Sequence, residues 1–424
     1  MENEKIKKIF LVIGFLVFIS LIGFLIWRIF FKQSTILSPT TTNSDTAIFD
    51  GLPTSADGTP IIADTNEQNI VESEDAPQAL KPQEAQVSGD SNYASPIAIG
   101  GLTQTTTIVD SLTLKPTLSI DGNSIQFYNK DDGQFYKINE NGELVLLSDK
   151  IFKNASNVEW APNKTKAVIE FSNQTKIVYD FNTDKQITLP SHWEDFTFSP
   201  DSKKLINKSL GTDSNNNWLV VSNSDGSQTK SLEKIEASNN SIIPYWSPNN
   251  QSVAMYTKSL DINKKEVIFI GEYGQSFKSI IVEGQDFQPQ WSQNGEKLLY
   301  SVSSPKNGLK PNLWIVNANG DQTGTSRKNL GLETWAEKCV FVSNSEVYCA
   351  VPKYIENSSG IFSETAMVTS DDLYKINIET GQKTLIAIPD QNYNISSIMI
   401  DKNQSNLFFT DGSSEEIHKI NLQN

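Results

Sequence analysis

Short apolar runs, separated by polar segments rich in Asn, Asp, Ser and Gly, fill the last three quarters of the chain and come in groups of four. The clearest pair is Phe287-Gln288-Pro289-Gln290-Trp291 and Leu298-Leu299-Tyr300-Ser301-Val302, joined through Gln293-Asn294-Gly295-Glu296. Two extended segments meeting at such a turn predict a hairpin, because Asn and Gly tolerate the left-handed backbone of short hairpin loops. A third run follows with its own turn. It is 135–139 before Glu140-Asn141-Gly142, 218–222 before Ser224-Asp225-Gly226, 313–317 before Asn319-Gly320, and 373–377 before Glu379-Thr380-Gly381. A fourth run closes the group, as in 144–147 and 384–388.

The group repeats. An apolar or aromatic residue followed by a Ser/Ala-Pro-Asn/Asp-like turn and an apolar run recurs at Leu118, Trp160, Phe198, Trp246, Trp291, Phe341 and Ile400, at intervals of 38 to 59 residues. Self-similarity on that scale marks a propeller or solenoid, and four short strands in an up-and-down meander make one propeller blade. A β-sandwich also shows short strands and turns, but nothing in it requires the same turn chemistry in the same place of every unit. The expected fold is therefore all-β, a seven-bladed β-propeller over 102–424, with six blades as the alternative if the first or last unit is not a true blade.

Trp246-Ser247-Pro248-Asn249 and Phe198-Ser199-Pro200-Asp201, each leading into an apolar strand, resemble the W-S-P-D-G-K repeats of the TolB-type, WD40-like propeller superfamily. The resemblance covers about 103–424 and implies the fold. Its relatives include periplasmic scaffolds, sensors and the propeller of prolyl oligopeptidases, so it implies no single function. Ser-Gln-Asn-Gly in the fifth unit and Val-Ser-Asn-Ser in the sixth depart from the motif. No hydrolase domain accompanies the propeller in the sequence, so peptidase activity is not expected.

The N-terminus changes the picture. Ile9 to Trp27 is nineteen residues without a charge, about 28 Å of helix against a hydrocarbon core of roughly 30 Å. It has no small-x-small cleavage site, and Lys5, Lys7 and Lys8 precede it while Arg28 and Lys32 follow. The expectation is a single-pass transmembrane anchor over 9–31 with a short cytoplasmic segment, 1–8, and an extracytoplasmic propeller. Between them, 32–101 is poor in aromatics and holds ten acidic residues against Lys81 alone from 35 to 100. One-signed charge with low hydrophobicity predicts a disordered linker. Only two of the 35 basic residues are Arg, a bias that fits an AT-rich bacterial source. The net charge of −15 argues against nucleic acid as a partner.

No catalytic motif emerges: there is no zinc spacing, nucleophile elbow or Gly-rich phosphate loop, so neither metal nor cofactor is expected. His418 falls at an aromatic position of a third strand, and His192 lies on the connector between the second and third blades. Folding 338–349 about Asn344 places Cys339 opposite Cys349, close enough for a disulfide in an oxidising compartment. The longest break between second and third strands, 351–371, should emerge on the face that carries the connectors between blades. Its Tyr354, Ile361, Phe362 and Met367, with His192, are the candidate binding residues. The function expected is a membrane-anchored scaffold for a protein or cell-envelope ligand rather than an enzyme. The alternative is an extracytoplasmic hydrolase or lyase using carboxylates at the funnel. Finally, the seventh unit supplies only three runs, whereas Thr103 to Val109 has no place in the first. The expectation is that this segment pairs with 418–422 and closes the ring.

Overall fold

A computed structural model describes residues 54–55, 93–235, 241–362 and 369–423. The expected anchor at 9–31 and most of the linker lie outside them. Among the described residues no helix is long and apolar enough to cross a membrane.

Seven antiparallel sheets follow one another along the chain. The residue that marks each repeat ends the first strand of its blade, or in blade four lies two residues past it: Thr113–Leu118, Ala155–Trp160, Trp193–Phe198, Ile242–Pro244, Gln285–Trp291, Cys339–Phe341 and Ile395–Ile400. The turn chemistry explains why the motif recurs. In three blades the motif serine donates its hydroxyl to the Asx side chain two residues on and accepts the amide five residues on. The pairs are Ser199 with Asp201 and Lys204, Ser247 with Asn249 and Ser252, and Ser292 with Asn294 and Lys297. The fourth residue after the marker is left-handed in six blades, at Gly122, Lys164, Ser202, Asn250, Gly295 and Gln404. Glycine adopts that backbone without strain, whereas the other four residues pay for it.

The markers are wedges between blades. Trp160 packs with Tyr128 and Phe135 of blade one, Phe198 with Val168 and Val178 of blade two, and Trp246 with Ile206 and Leu219 of blade three. Trp291, Phe341 and Ile400 do the same against blades four, five and six. The seventh layer joins Met399, Phe408 and Ile417 of blade seven to Ile125, Phe127 and Ile138 of blade one, with Val109 between them. The core is thus seven layers, each buried only when two blades face each other, which makes the ring the cooperative unit.

Thr106–Val109 is the fourth strand of blade seven, with Thr106 opposite Lys419, Thr107 opposite His418 and Val109 opposite Ile417. His418 is buried in this seam, its Nδ1 3.1 Å from Thr107 Oγ1 and its ring stacked on Phe409; burial pulls its pKa down. The seam explains the ring count, since the chain's two ends complete one blade.

The linker boundary needs correction. Residues 93–101, expected to belong to the disordered tether, are ordered on blade six. Tyr93–Ala94 runs parallel to the outer strand Lys383–Ala387, Ser95 bonds to the Leu385 and Ile386 carbonyls, and a helical turn, Pro96–Ile99, follows. Blade six offers an outer edge whose backbone groups would otherwise lack partners, and the chain covers it. Thr54–Ser55 likewise runs parallel to Gln275–Ser276 on blade four.

Candidate functional site

The connectors between blades and the loops between second and third strands share one face. On it, 351–362 folds back on the neighbouring loop of blade five. Ser358 N donates to the Gly308 carbonyl at 2.7 Å and Gly360 N to that of Leu309 at 2.9 Å. Ile355 is buried against Trp335, and Gly360 leaves no room for a side chain, since a Cβ there would meet Ser303 and the Leu309 carbonyl. The loop is therefore pinned at its centre, yet Tyr354 and Phe362 remain 65% and 58% exposed and Ile361 is also exposed. Met367 lies outside the described residues. His192 is exposed on the same face, but on the connector from blade two to blade three, across the ring from the other three. Cys339 and Cys349 are paired across the first two strands of blade six and joined as a disulfide, beneath this loop's root.

A second constellation was not legible as a site in the sequence. The residue before the marker touches the next blade in several units: Thr197 Oγ1 donates to the Pro244 carbonyl at 3.2 Å, Gln290 Nε2 donates to that of Cys339 at 3.1 Å, and Met399 packs against blade one. In blade two this residue is Glu159. It is half-buried and interacts with Lys115 of blade one and with Lys164 and Glu170 of its own blade, and its charge also reaches Tyr245 of blade four. Burial pushes its carboxyl up to about 7 against the pull of both lysines. Lys164 stands at the left-handed turn position and donates to Thr117 Oγ1 at 2.9 Å; burial pulls its ammonium down, which Glu159 partly offsets. Towards the connector face, burial also raises the carboxyls of Asp286 and Glu337, and Glu337 interacts with Asp286, Lys338 and Lys115. Glu159 and Glu337, from blade two and from the connector into blade six, thus share Lys115 as a neighbour, and Asp286 of blade five neighbours Glu337. The signals were a Glu where the other units have Thr, Tyr, Gln, Val or Met, and a Lys where the turn favours Gly.

The sign of the Glu159 shift gives a prediction. Its folded pKa lies above its usual value of 4.5, so folding is favoured while it is protonated and loses that contribution as pH rises from about 4.5 through 7. Glu159→Gln should stabilise the protein at pH 8 by up to about 3 kcal/mol, less whatever water screens, and should flatten stability over that interval. Denaturant titrations of both proteins at pH 5 and pH 8 measure this; equal pH dependence would place Glu159 in bulk solvent. Among the described residues no group of three or more His, Cys, Asp or Glu is placed to hold a metal ion.

No protein-family model matches the sequence, and no curated protein matches it. Solved structures do. A Kuenenia stuttgartiensis hydrazine synthase chain aligns with a TM-score of 0.51 at 12% identity, over 74% of this chain and 96% of that one. An oligogalacturonate lyase in complex with manganese gives 0.50 at 12% identity, over 76% and 93%. The Cps50 (Swd1) β-propeller domain of Myceliophteria thermophila gives 0.50 at 9% identity, over 75% and 98%. The likeness is one of fold. A lyase and a WD40 propeller align equally well, so the chain is a β-propeller whose activity has to be argued from its own residues.

Proposed function

We propose that the protein is a membrane-anchored, extracytoplasmic binding propeller of the TolB-like kind, a scaffold rather than a catalyst, which engages a protein or cell-envelope ligand on its connector face. One observation carries this reading: Tyr354 and Phe362 stand exposed on a loop pinned to blade five by backbone hydrogen bonds and to Trp335 by Ile355. A partner that covers a pinned loop orders little new backbone, so more of the contact energy appears as affinity. Aromatic anchors of this kind dominate interface energetics. The charge-free run 9–27 and the lysines before it support a span with the propeller outside, and the acidic linker supports a tether.

Replacing both side chains, Tyr354→Ser with Phe362→Ser, should change stability by no more than about 0.5 kcal/mol each, as surface positions do. Crosslinked partners recovered from membranes should fall at least about tenfold, the loss of one modest hot spot. An unchanged set of partners would contradict the reading.

A second reading rests on Glu159. A carboxyl raised to about 7, with a second carboxyl, Glu337, near the same Lys115, is the kind of pair that glycoside cleavage uses. The same variant discriminates: an enzyme of the funnel would lose turnover in Glu159→Gln, whereas a connector-face scaffold would keep its partners.

A further inference from the structure

Three side chains with complementary chemistry meet where blade six joins blade seven. Lys338 ends the short 3-10 turn Ala336–Lys338 that leads into the first strand of blade six. Asp371 opens the third strand of that blade, Asp371–Asn377, and Asn394 directly precedes the first strand of blade seven, Ile395–Ile400. Lys338 Nζ lies 2.8 and 2.9 Å from the two oxygens of Asp371 and 3.3 Å from Asn394 Oδ1. The side chains of Lys338 and Asp371 are buried, and so are their neighbours Trp335, Tyr393 and Ile395. Backbone contacts fix all three in place. Lys338 N donates to the Trp335 carbonyl, Asp371 N to that of Tyr393, and Asn394 N to Asp411 Oδ1 at 3.1 Å, while Asp371 Oδ2 accepts the Ile395 amide at 2.7 Å.

We propose that Lys338 and Asn394 are the partners of an isopeptide bond that the folded chain makes within itself, with Asp371 carrying the protons. In water an ammonium has no lone pair to attack with, and an amide is a poor electrophile. Here burial works against the separated charges of the ion pair and raises the Asp371 carboxyl against the pull of Lys338. A proton can therefore pass from Nζ to Asp371 along their hydrogen bond, which leaves a neutral, nucleophilic amine. Nζ then adds to Asn394 Cγ, and Asp371 returns the proton to the amide nitrogen as it leaves. The Nζ–Cγ bond forms and the Cγ–Nδ2 bond breaks. An ammonium and a primary amide go in, a secondary amide and an ammonium ion come out, and Asp371 is a carboxylate again. No oxidant or cofactor is needed. Fixed positions replace a bimolecular encounter, and the shortage of water suppresses hydrolysis. The product would join the entries of blades six and seven covalently. It forms from the intact ion pair, so that pair's part in stability is a property of the chain before reaction. Neither Tyr354 nor Phe362 takes part, so the inference does not rest on the connector-face reading.

The test is mass spectrometry of the full chain after reduction, alkylation, denaturation and digestion with trypsin. A free Lys338 is cut; an acylated one is not, because trypsin recognises the charge. The product expected in most molecules is a branched species that joins 329–353 to 384–402, lighter by one ammonia than the two peptides together. Asn394→Ala, which keeps the ion pair, should abolish it and restore cleavage after Lys338. Asp371→Asn should slow its formation roughly a hundredfold or more, the contribution of a positioned acid–base group, although Lys338 and Asn394 are both present. If Asp371→Asn does not fold, the wild-type and Asn394→Ala digests decide between bond and no bond. Complete cleavage after Lys338 in the wild-type chain would overturn the proposal. So would a loss of ammonia that maps only to another asparagine, or a branched peptide that forms as fast in Asp371→Asn.

Discussion

Removal of residues 102–110 is expected to destabilise the whole propeller as one unit rather than fray one edge. The strand Thr106–Val109 is the outer strand of blade seven, and its Ile108 and Val109 fill the layer between blades seven and one. Losing the burial of those two side chains costs about 3–5 kcal/mol, before the hydrogen bonds of Thr103 to Ile388 and Asp390 and of Thr105 to Asp390 and Tyr393 are counted. Each layer of the core needs both of its blades, so opening one layer exposes two sheets and weakens the remainder. Calorimetry of the truncated chain should show a single transition shifted down by about 10 °C or more, at roughly 2–4 °C per kcal/mol for a domain of this size. Deletion of 60–85, which spares Thr54–Ser55 on blade four, should leave the transition in place. The order found at 93–101 sets that boundary: a cut at 95 would strip the strand from blade six. If truncation at 110 left melting unchanged, some other contact would have to close the ring.

The second large effect is expected at Lys338 and Asp371. Lys338 Nζ donates to both oxygens of Asp371, at 2.8 and 2.9 Å, and both side chains are buried. Asp371 also accepts the Ile395 amide at 2.7 Å, so one carboxylate ties the end of the 351–371 loop to the first strand of blade seven. Asp371→Ala leaves an uncompensated ammonium inside the protein and should cost about 3–5 kcal/mol. Lys338→Met with Asp371→Leu removes both charges and should recover most of that loss, because desolvation of the pair disappears with it. A double variant as unstable as Asp371→Ala would show that the Ile395 bond, rather than the charge pair, matters. The same single variant should loosen the root of the loop that presents Tyr354 and Phe362, which joins this prediction to the proposed function.

Much of the fold was legible because a propeller repeats its errors as well as its rules. A marker such as Trp246 is recognisable because Ser247, Asn249 and Ser252 make a closed set of short-range hydrogen bonds, and short-range chemistry is written in adjacent residues. The closing strand was legible by counting, since blade seven lacked a run and Thr103 to Val109 was spare. The Cys339 and Cys349 register followed from one turn. The order of 93–101 was not legible, because a two-residue parallel strand and a single helical turn leave no periodicity. They are held by an edge that is far away in sequence, at Leu385 and Ile386. Glu159, Asp286, Glu337 and Lys115 were invisible for the same reason: blades far apart in sequence bring them near one another, and spacing along the chain does not encode that. His192 was grouped with the loop because both lie on the connector face, yet blades separate them.

The connector face over blade six is the working face that we propose. The most direct measurement places a photocrosslinking side chain, in turn, at Tyr354, at Phe362, at His192 and at Ile281, an exposed outer-strand position of blade four, in the full chain expressed in cells. Crosslinks to one partner from Tyr354 and Phe362, and none from Ile281, are the result predicted. Crosslinks from Ile281 with none from Tyr354 or Phe362 would contradict it.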